Sequence, residues 1–186
     1  MRIQEYIAQL ATGKTVLDVG CVMAVKWIST DDWLHAHLLR TAKSVVGLDS
    51  SKKGVAALRQ RGYDIVLGDA TSTRLGRHFD VIVAGELIEH VDNAGALIRN
   101  LAAHLAPGGR LVVTTPNILY LLHSLEGIFS DPSRRWCWQH VACYEAFTLC
   151  NLIQRCGLKI EEASIFRVAG RFDGCCGACV AVSPGP

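Results

Sequence analysis

Four short apolar runs, each carrying an acid at or just beyond its end, constrain this chain more than any other feature. They are residues 15–19 with Asp18, 44–48 followed by Asp49, 63–66 followed by Asp69, and 79–84 followed by Glu86. Runs of that length, dominated by Val, Ile and Leu without polar alternation, are the pattern of strands buried on both faces of a parallel sheet. Parallel neighbours require crossover connections, and helical patterns stand where crossovers are needed. Residues 4–10 form a leading helix. A second helix opens on the capping chemistry of Thr30, Asp31 and Asp32 and runs to Leu39 or beyond. A third runs from Ser50 and Ser51 to about Arg61, and a fourth spans 93–105, stopped by Pro107, Gly108 and Gly109. A fifth strand, 110–115, is halted by Pro116.

This order predicts an α/β chain: a Rossmann-like doubly wound sheet, mostly parallel, with helices on both faces. The rhythm changes after Pro116. Residues 117–129 read as an amphipathic helix and 130–139 as an irregular stretch with Trp136 and Trp138. A helix over 144–156 closes on Gly157, and strands at 158–166 and 178–183 bring the sheet to about seven. With no repeat and no low-complexity linker, residues 1–186 are expected to form one domain, with 117–145 as an insert.

Charge narrows the partners. The formal net charge is +2 and basic residues run no further than pairs such as Lys52-Lys53. A nucleic-acid partner is therefore unlikely, because phosphate neutralisation asks for a basic stripe. The longest apolar candidate, 117–129, is interrupted by His123, Ser124 and Glu126 and is too short for a membrane span. The N-terminus lacks the basic-then-apolar pattern of a secretion signal, so a cytoplasmic protein with reduced thiols is expected. Among the eight cysteines, Cys176 and Cys179 form a C-x-x-C, but Cys137 and Cys143 do not supply a second pair at zinc spacing. No residue is assigned to a metal.

In open α/β sheets ligands bind beyond the carboxyl ends of the strands. Acids after four consecutive strands, each near a small residue or polar cap, form a constellation rather than isolated loop chemistry. The segments Val16-Leu-Asp-Val-Gly-Cys21, Val45-Val-Gly-Leu-Asp49, Gly68-Asp69-Ala70, Phe79-Asp-Val-Ile-Val83 and Leu105-Ala-Pro-Gly-Gly-Arg-Leu111 resemble the ordered motifs of class I S-adenosylmethionine-dependent methyltransferases. The resemblance is close over 14–116. It implies S-adenosylmethionine as cofactor. Asp18, Gly20, Cys21 and Val22 would form the turn beside its amino-acid portion. Asp49 with Ser50 would meet the ribose, Asp69 with Ala70 the adenine edge, and Gly85 with Glu86 the methionine side.

One departure stands out. The family's turn commonly reads G-x-G-x-G, whereas Val22 and Ala24 replace the later glycines and would narrow the pocket. The turn is similar to a branch that reads Gly-Cys-Val followed by a Trp-Leu-His helix, as in Trp33-Leu34-His35. A nicotinamide reductase is the neighbouring alternative, but the turn lacks G-x-G-x-x-G.

The resemblance also shapes the chemistry. The sulfonium of the cofactor activates the methyl group, so the chain is left to position an acceptor and receive a proton. In a helical turn, Glu86, Glu89 and His90 would share one face. Three uses are open: a general base or substrate contact, a divalent-metal site completed by His140 as in small-RNA 2′-O-methyltransferases, or plain loop capping. The expected catalytic set is Glu89, His90 and His140. Residues 117–145, with Tyr120, Phe129, Trp136, Trp138 and Tyr144, would shape the acceptor pocket. His37, His78, His104 and His123 read as surface or helix-face residues. The implied function is O-methylation of a small molecule or saccharide. Alternatives are a non-catalytic cofactor-binding partner subunit and a metal-assisted RNA 2′-O-methyltransferase. Oligomeric state is not legible.

Overall fold

In the computed structural model, residues 2–22, 33–117, 140–167 and 175–184 are described. The elements are α1 (Ile3–Leu10), β1 (Thr15–Val19), α2 (Leu34–Thr41), β2 (Ser44–Asp49), α3 (Lys52–Gln60), β3 (Ile65–Leu67), β4 (Phe79–Gly85), a 3₁₀ turn (Ile88–His90), α4 (Ala94–Ala102), β5 (Leu105–Pro116), α5 (Ala146–Arg155), β6 (Leu158–Arg167) and β7 (Cys175–Pro184). They build one seven-stranded sheet in the order β3-β2-β1-β4-β5-β7-β6. Strands β1 to β5 pair in parallel, while β7 runs antiparallel between β5 and β6. This is the expected Rossmann-like architecture with the expected seven strands.

The alternation of the strands explains the layers. Leu17, Val19, Val46, Leu48, Ile82, Ala84, Leu111 and Val113 face one core, which α4 and α5 cover through Leu97, Ile98, Leu101, Leu149 and Ile153. Val16, Val45, Val81, Val83 and Val112 face the other, covered by Ile7 and Ala11 of the α1 end and by Leu38 of α2. Continuous apolar strands are needed because both faces are buried. Val55 and Leu58 of α3 pack with Cys21, Trp33 and Ile65 in a smaller cluster under the β2–β3 edge.

Several boundaries differ from expectation for identifiable reasons. Strand β3 occupies 65–67 instead of 63–66, because its register is set by pairing Ile65 with Gly47. Helix α4 ends at Ala102 and β5 begins at Leu105, since Phe79 pairs with Leu105 and the Phe79 amide bonds the His104 carbonyl at 2.9 Å. Pro107-Gly108-Gly109 is thus absorbed into an irregular strand, with Gly108 in the left-handed region at φ 73°. Helix α2 starts on Trp33 without a side-chain cap. The expected cap at 30–32 and the expected helix and irregular stretch at 118–139 lie outside the described residues. Strand β7 takes in Cys175, Cys176 and Cys179, so the C-x-x-C lies in extended backbone. Among the described residues no helix is long and apolar enough to cross a membrane.

Candidate functional site

The strand order reverses between β1 and β4, and the loops leaving these strands at their carboxyl ends define the crevice where such sheets bind ligands. On the β1 side, Gly20 sits at φ 74°, a conformation that costs any residue with a Cβ. A side chain there would also press on Leu87 of the β4 loop. The Gly20 amide bonds the Leu48 carbonyl at 2.8 Å, and the Val22 amide bonds Asp49 Oδ2 at 2.9 Å. Asp49 Oδ1 accepts from the Ser51 amide at 2.8 Å. The carboxylate is therefore held rigidly by two backbone donors, with lone pairs remaining for two adjacent hydroxyls.

The departure at Val22 resolves here. A Cβ on Gly54, in the first turn of α3, would collide with the Val22 γ-carbons, so the valine side chain rests on the bare helix backbone at Gly54. Its bulk is taken up by α3. Ala24 lies outside the described residues.

Asp18 opens the turn with its side chain directed into the protein. It is 3% exposed, and His35 Nδ1 of α2 lies 2.8 Å from its Oδ2. Burial raises the Asp18 carboxyl above the usual range, opposed by the bond to His35. Cys21 is buried too, its thiol pushed up by desolvation and by Asp18 and Asp49. These two side chains face the sheet and α2, and the turn offers the crevice its backbone. Ser50 stays exposed beside Asp49.

Asp69 closes its own loop: Oδ1 accepts from the Thr71 amide at 2.8 Å and from the Thr71 hydroxyl at 2.7 Å, which lowers its pKa. The Ala70 carbonyl accepts from Asn100 Nδ2 of α4 at 2.8 Å. Asn100 and the neighbouring His104 were not legible as site-supporting residues. His104 is 5% exposed, contrary to the surface expectation; its Nε2 accepts from the Leu75 amide at 3.0 Å, and its Nδ1 meets the Asn100 carbonyl at 2.7 Å.

On the β4 side, Glu86 follows Gly85 at φ 48°, the one non-glycine residue in the left-handed region among the described residues. Thr114 of β5 holds it there, donating from Oγ1 to Glu86 Oε1 at 2.9 Å. The helical turn spans only Ile88–His90, so Glu86 does not share a face with Glu89 and His90 as expected. Glu89 is 2% exposed and accepts from Thr115 Oγ1 at 3.1 Å. Its pKa is raised to about 8, chiefly by burial and then by Glu86. His140 is brought in from a distant part of the chain because the Val141 amide bonds the Glu89 carbonyl at 2.8 Å. The rings of His90 and His140 stand 4.7 Å apart, and ligand atoms of Glu89, His90 and His140 lie within 4.8 Å of one another. The His140 pKa is lowered by burial and by His90. Thr114 and Thr115, which orient both acids, carried no sequence signal beyond their place at the end of a strand.

The order reversal, the turn held by an acid after β2 and the polar cluster after β4 define a Rossmann-like nucleoside-binding protein. Comparison with known proteins goes one step further. Residues 2–163 match the model of a methyltransferase domain family, and the chain belongs to that family. It is 29% identical over 170 residues to the mitochondrial ubiquinone biosynthesis O-methyltransferase of Rattus norvegicus, covering 82% of this chain and 46% of that one. It is 32% identical over 140 residues to the ubiquinone biosynthesis O-methyltransferase of Coxiella burnetii, covering 68% of this chain and 56% of that one. The chain thus spans about half the length of the curated relatives it matches. Among solved structures, the N-methyltransferase NodS of Bradyrhizobium japonicum, crystallised with S-adenosyl-L-homocysteine, superposes with TM-score 0.70 at 18% identity, covering 98% of this chain and 86% of that one. The [4+2]-cyclase SpnF superposes with TM-score 0.72 at 20% identity, covering 99% and 81%. These likenesses establish the fold, and SpnF's name shows that the fold alone does not choose the reaction.

Proposed function

We propose that this chain is an S-adenosylmethionine-dependent methyltransferase that O-methylates a small-molecule acceptor held over Glu89, His90 and His140. The observation that carries the reading is the placement of two sites on one sheet edge: the Asp49-held turn at β1–β2 and the Glu89, His90 and His140 cluster at β4–β5. The turn fits the cofactor. Asp49 has acceptor capacity for a ribose diol, and Val22 points into α3 instead of the crevice. Asp69, Ala70, Gly85 and Glu86 border the same crevice on its other strand ends. When bound, the cofactor supplies a sulfonium-activated methyl group, so the protein needs no strong nucleophile of its own.

The residues then have distinct tasks. Glu89, with its pKa raised to about 8, is protonated at neutral pH and is a hydrogen-bond donor to an acceptor oxygen or imidazole. His140, with its pKa lowered, is neutral and can take the hydroxyl proton as the oxygen is methylated. His90 fixes the second ring against it. Residues 1–186 act as one domain; most of the expected acceptor-pocket insert, 117–145, lies outside the described residues. A saccharide hydroxyl is the finer form of the acceptor, next to a phenol; the modest charge of +2 disfavours RNA. The names of the relatives, ubiquinone biosynthesis O-methyltransferases, support a small-molecule acceptor. A cytoplasmic location belongs to the same proposal, and fractionation of cells expressing a tagged chain tests it.

A second reading is favoured by one observation. A carboxylate and two imidazoles converging within 4.8 Å suit a borderline divalent cation such as Zn²⁺ or Mn²⁺, which would orient the acceptor oxygen. The deciding experiment is calorimetric titration of S-adenosylhomocysteine into the protein and into Asp49→Ala, followed by methyl transfer to phenols and sugars with and without chelator. Micromolar binding lost in Asp49→Ala supports the cofactor site. Turnover that survives chelation selects the metal-free reading. Absence of binding by the folded wild type overturns both, and binding without turnover on any acceptor selects a non-catalytic partner subunit.

A further inference from the structure

The first turn of α2 makes two side-chain contacts to the β1 turn that the proposed reaction does not use. Trp33 Nε1 donates to the Cys21 carbonyl at 2.9 Å, and His35 Nδ1 meets Asp18 Oδ2 at 2.8 Å. Trp33 and His35 are each 1% exposed, their rings stacked 5.2 Å apart, with Tyr63 packed edge-on against both. Among the described residues, His35 Nε2 is buried and meets no hydrogen-bond partner. A carboxylate oxygen can only accept, so the ring presents an Nδ1 hydrogen to Asp18. The geometry therefore dedicates this histidine to one bond.

We infer that the first turn of α2 clamps the cofactor turn, and that His35 is a positioning residue acting on the S-adenosylmethionine site through Asp18. The physical reason lies in what replaces glycine. A turn whose later positions carry side chains is not shaped by backbone freedom alone, so its path must be fixed by contacts. Here the contacts bracket it: Asp18 at its start is tied to His35, the Cys21 carbonyl near its end is tied to Trp33, and Val22 is tied to Asp49 and Gly54. Removing the His35 donor leaves a carboxylate buried without that partner two residues before Gly20, which is far less tolerable than losing the pair together. The Gly20 and Val22 amides would then lose their fixed directions.

This inference rests on the proposed cofactor site, and the test separates the two. Amide hydrogen exchange of the ligand-free protein reads the clamp, and titration of S-adenosylhomocysteine reads its consequence. His35→Phe keeps the ring and the stack but removes the donor; exchange at Gly20 and Val22 rises, and affinity falls about tenfold or more. His35→Asn restores a donor at the same distance from the backbone, and affinity returns to within about threefold of wild type. Asp18→Asn combined with His35→Phe loses less than the sum of the two single losses, because the two side chains act as one unit. Trp33→Phe, which removes the indole N–H together with part of the buried ring, shifts exchange in the same direction and carries the comparison should His35→Phe fail to fold. Unchanged protection and affinity in His35→Phe, or strictly additive losses, overturn the clamp. If the wild type binds no S-adenosylhomocysteine, the cofactor reading fails, while the exchange comparison still decides whether α2 holds the turn.

Discussion

Glu89 is a buried acid, and the consequences of its burial are measurable without knowing the acceptor. Burial raises its pKa from 4.5 to about 8, so between these values the folded protein holds a proton that the unfolded chain has released. Stability therefore falls as pH rises through this window, with a limiting slope of about 1.4 kcal/mol per pH unit. Glutamine keeps the shape and the Thr115 bond but has no charge to bury. Glu89→Gln is expected to gain on the wild type steadily from pH 5 to pH 8, by about 2 kcal/mol in all once water entering the crevice is allowed for. Urea denaturation of both proteins at three pH values checks it. A difference that stays flat would mean the carboxylate is already ionised in the folded state, as a bound cation would make it.

At the scale of elements, the packing of α3 against the β1 turn reverses an ordinary expectation. Glycine inside a helix usually costs about 0.5–1 kcal/mol relative to alanine, so Gly54→Ala ought to stabilise α3. Here the added carbon would collide with Val22, and the strain passes directly to the turn that Asp49 holds. Gly54→Ala is expected to weaken S-adenosylhomocysteine binding about tenfold, and Val22→Ala in the same chain to restore it. Helix α4 has a comparable role at the loop after β3, because Asn100 Nδ2 bonds the Ala70 and Thr73 carbonyls. Asn100→Ala leaves these carbonyls short of a donor and should cost about 1–3 kcal/mol in thermal unfolding.

These particulars show what the sequence could tell. The strands after which Asp49, Asp69 and Glu86 stand were legible because a parallel core strand must be apolar on both faces. Gly20 was legible because only the backbone can approach a ligand at such a turn. The direction of the Val22 side chain was not legible, since it is decided by Gly54, more than thirty positions away in sequence. Glu86 was placed on a helical face with Glu89, but the Thr114 hydroxyl holds it in a left-handed conformation before the 3₁₀ turn begins. The burial of His104, read from sequence as a surface or helix-face histidine, was hidden because its partner, the Leu75 amide, belongs to a loop with no periodic signal. Local patterns give elements; side-chain direction comes from contacts that sequence distance hides.

For the whole molecule, the arrangement concentrates function on one edge. The parallel half of the sheet, β3-β2-β1-β4-β5, delivers its carboxyl ends together, and the antiparallel β6–β7 pair extends the sheet beyond β5. Tyr6 of α1 donates to Glu162 of β6 at 2.7 Å, tying the helix that covers one face to the far edge strand. A ligand lying across the β1, β2 and β4 loops therefore touches segments that are far apart along the chain but belong to one packed sheet, and its binding energy should appear as stability of the sheet as a whole. A ligand present at about one hundred times its Kd adds about 2.7 kcal/mol to the folded state. For a chain of this size that corresponds to a rise of about 5–10 °C in Tm. Thermal unfolding with saturating S-adenosylhomocysteine should show that rise in the wild type and lose it in Asp49→Ala. A smaller rise confined to one spectroscopic probe would instead mean that the loops fold around the ligand separately from the sheet, because a shared transition must move every probe by the same amount.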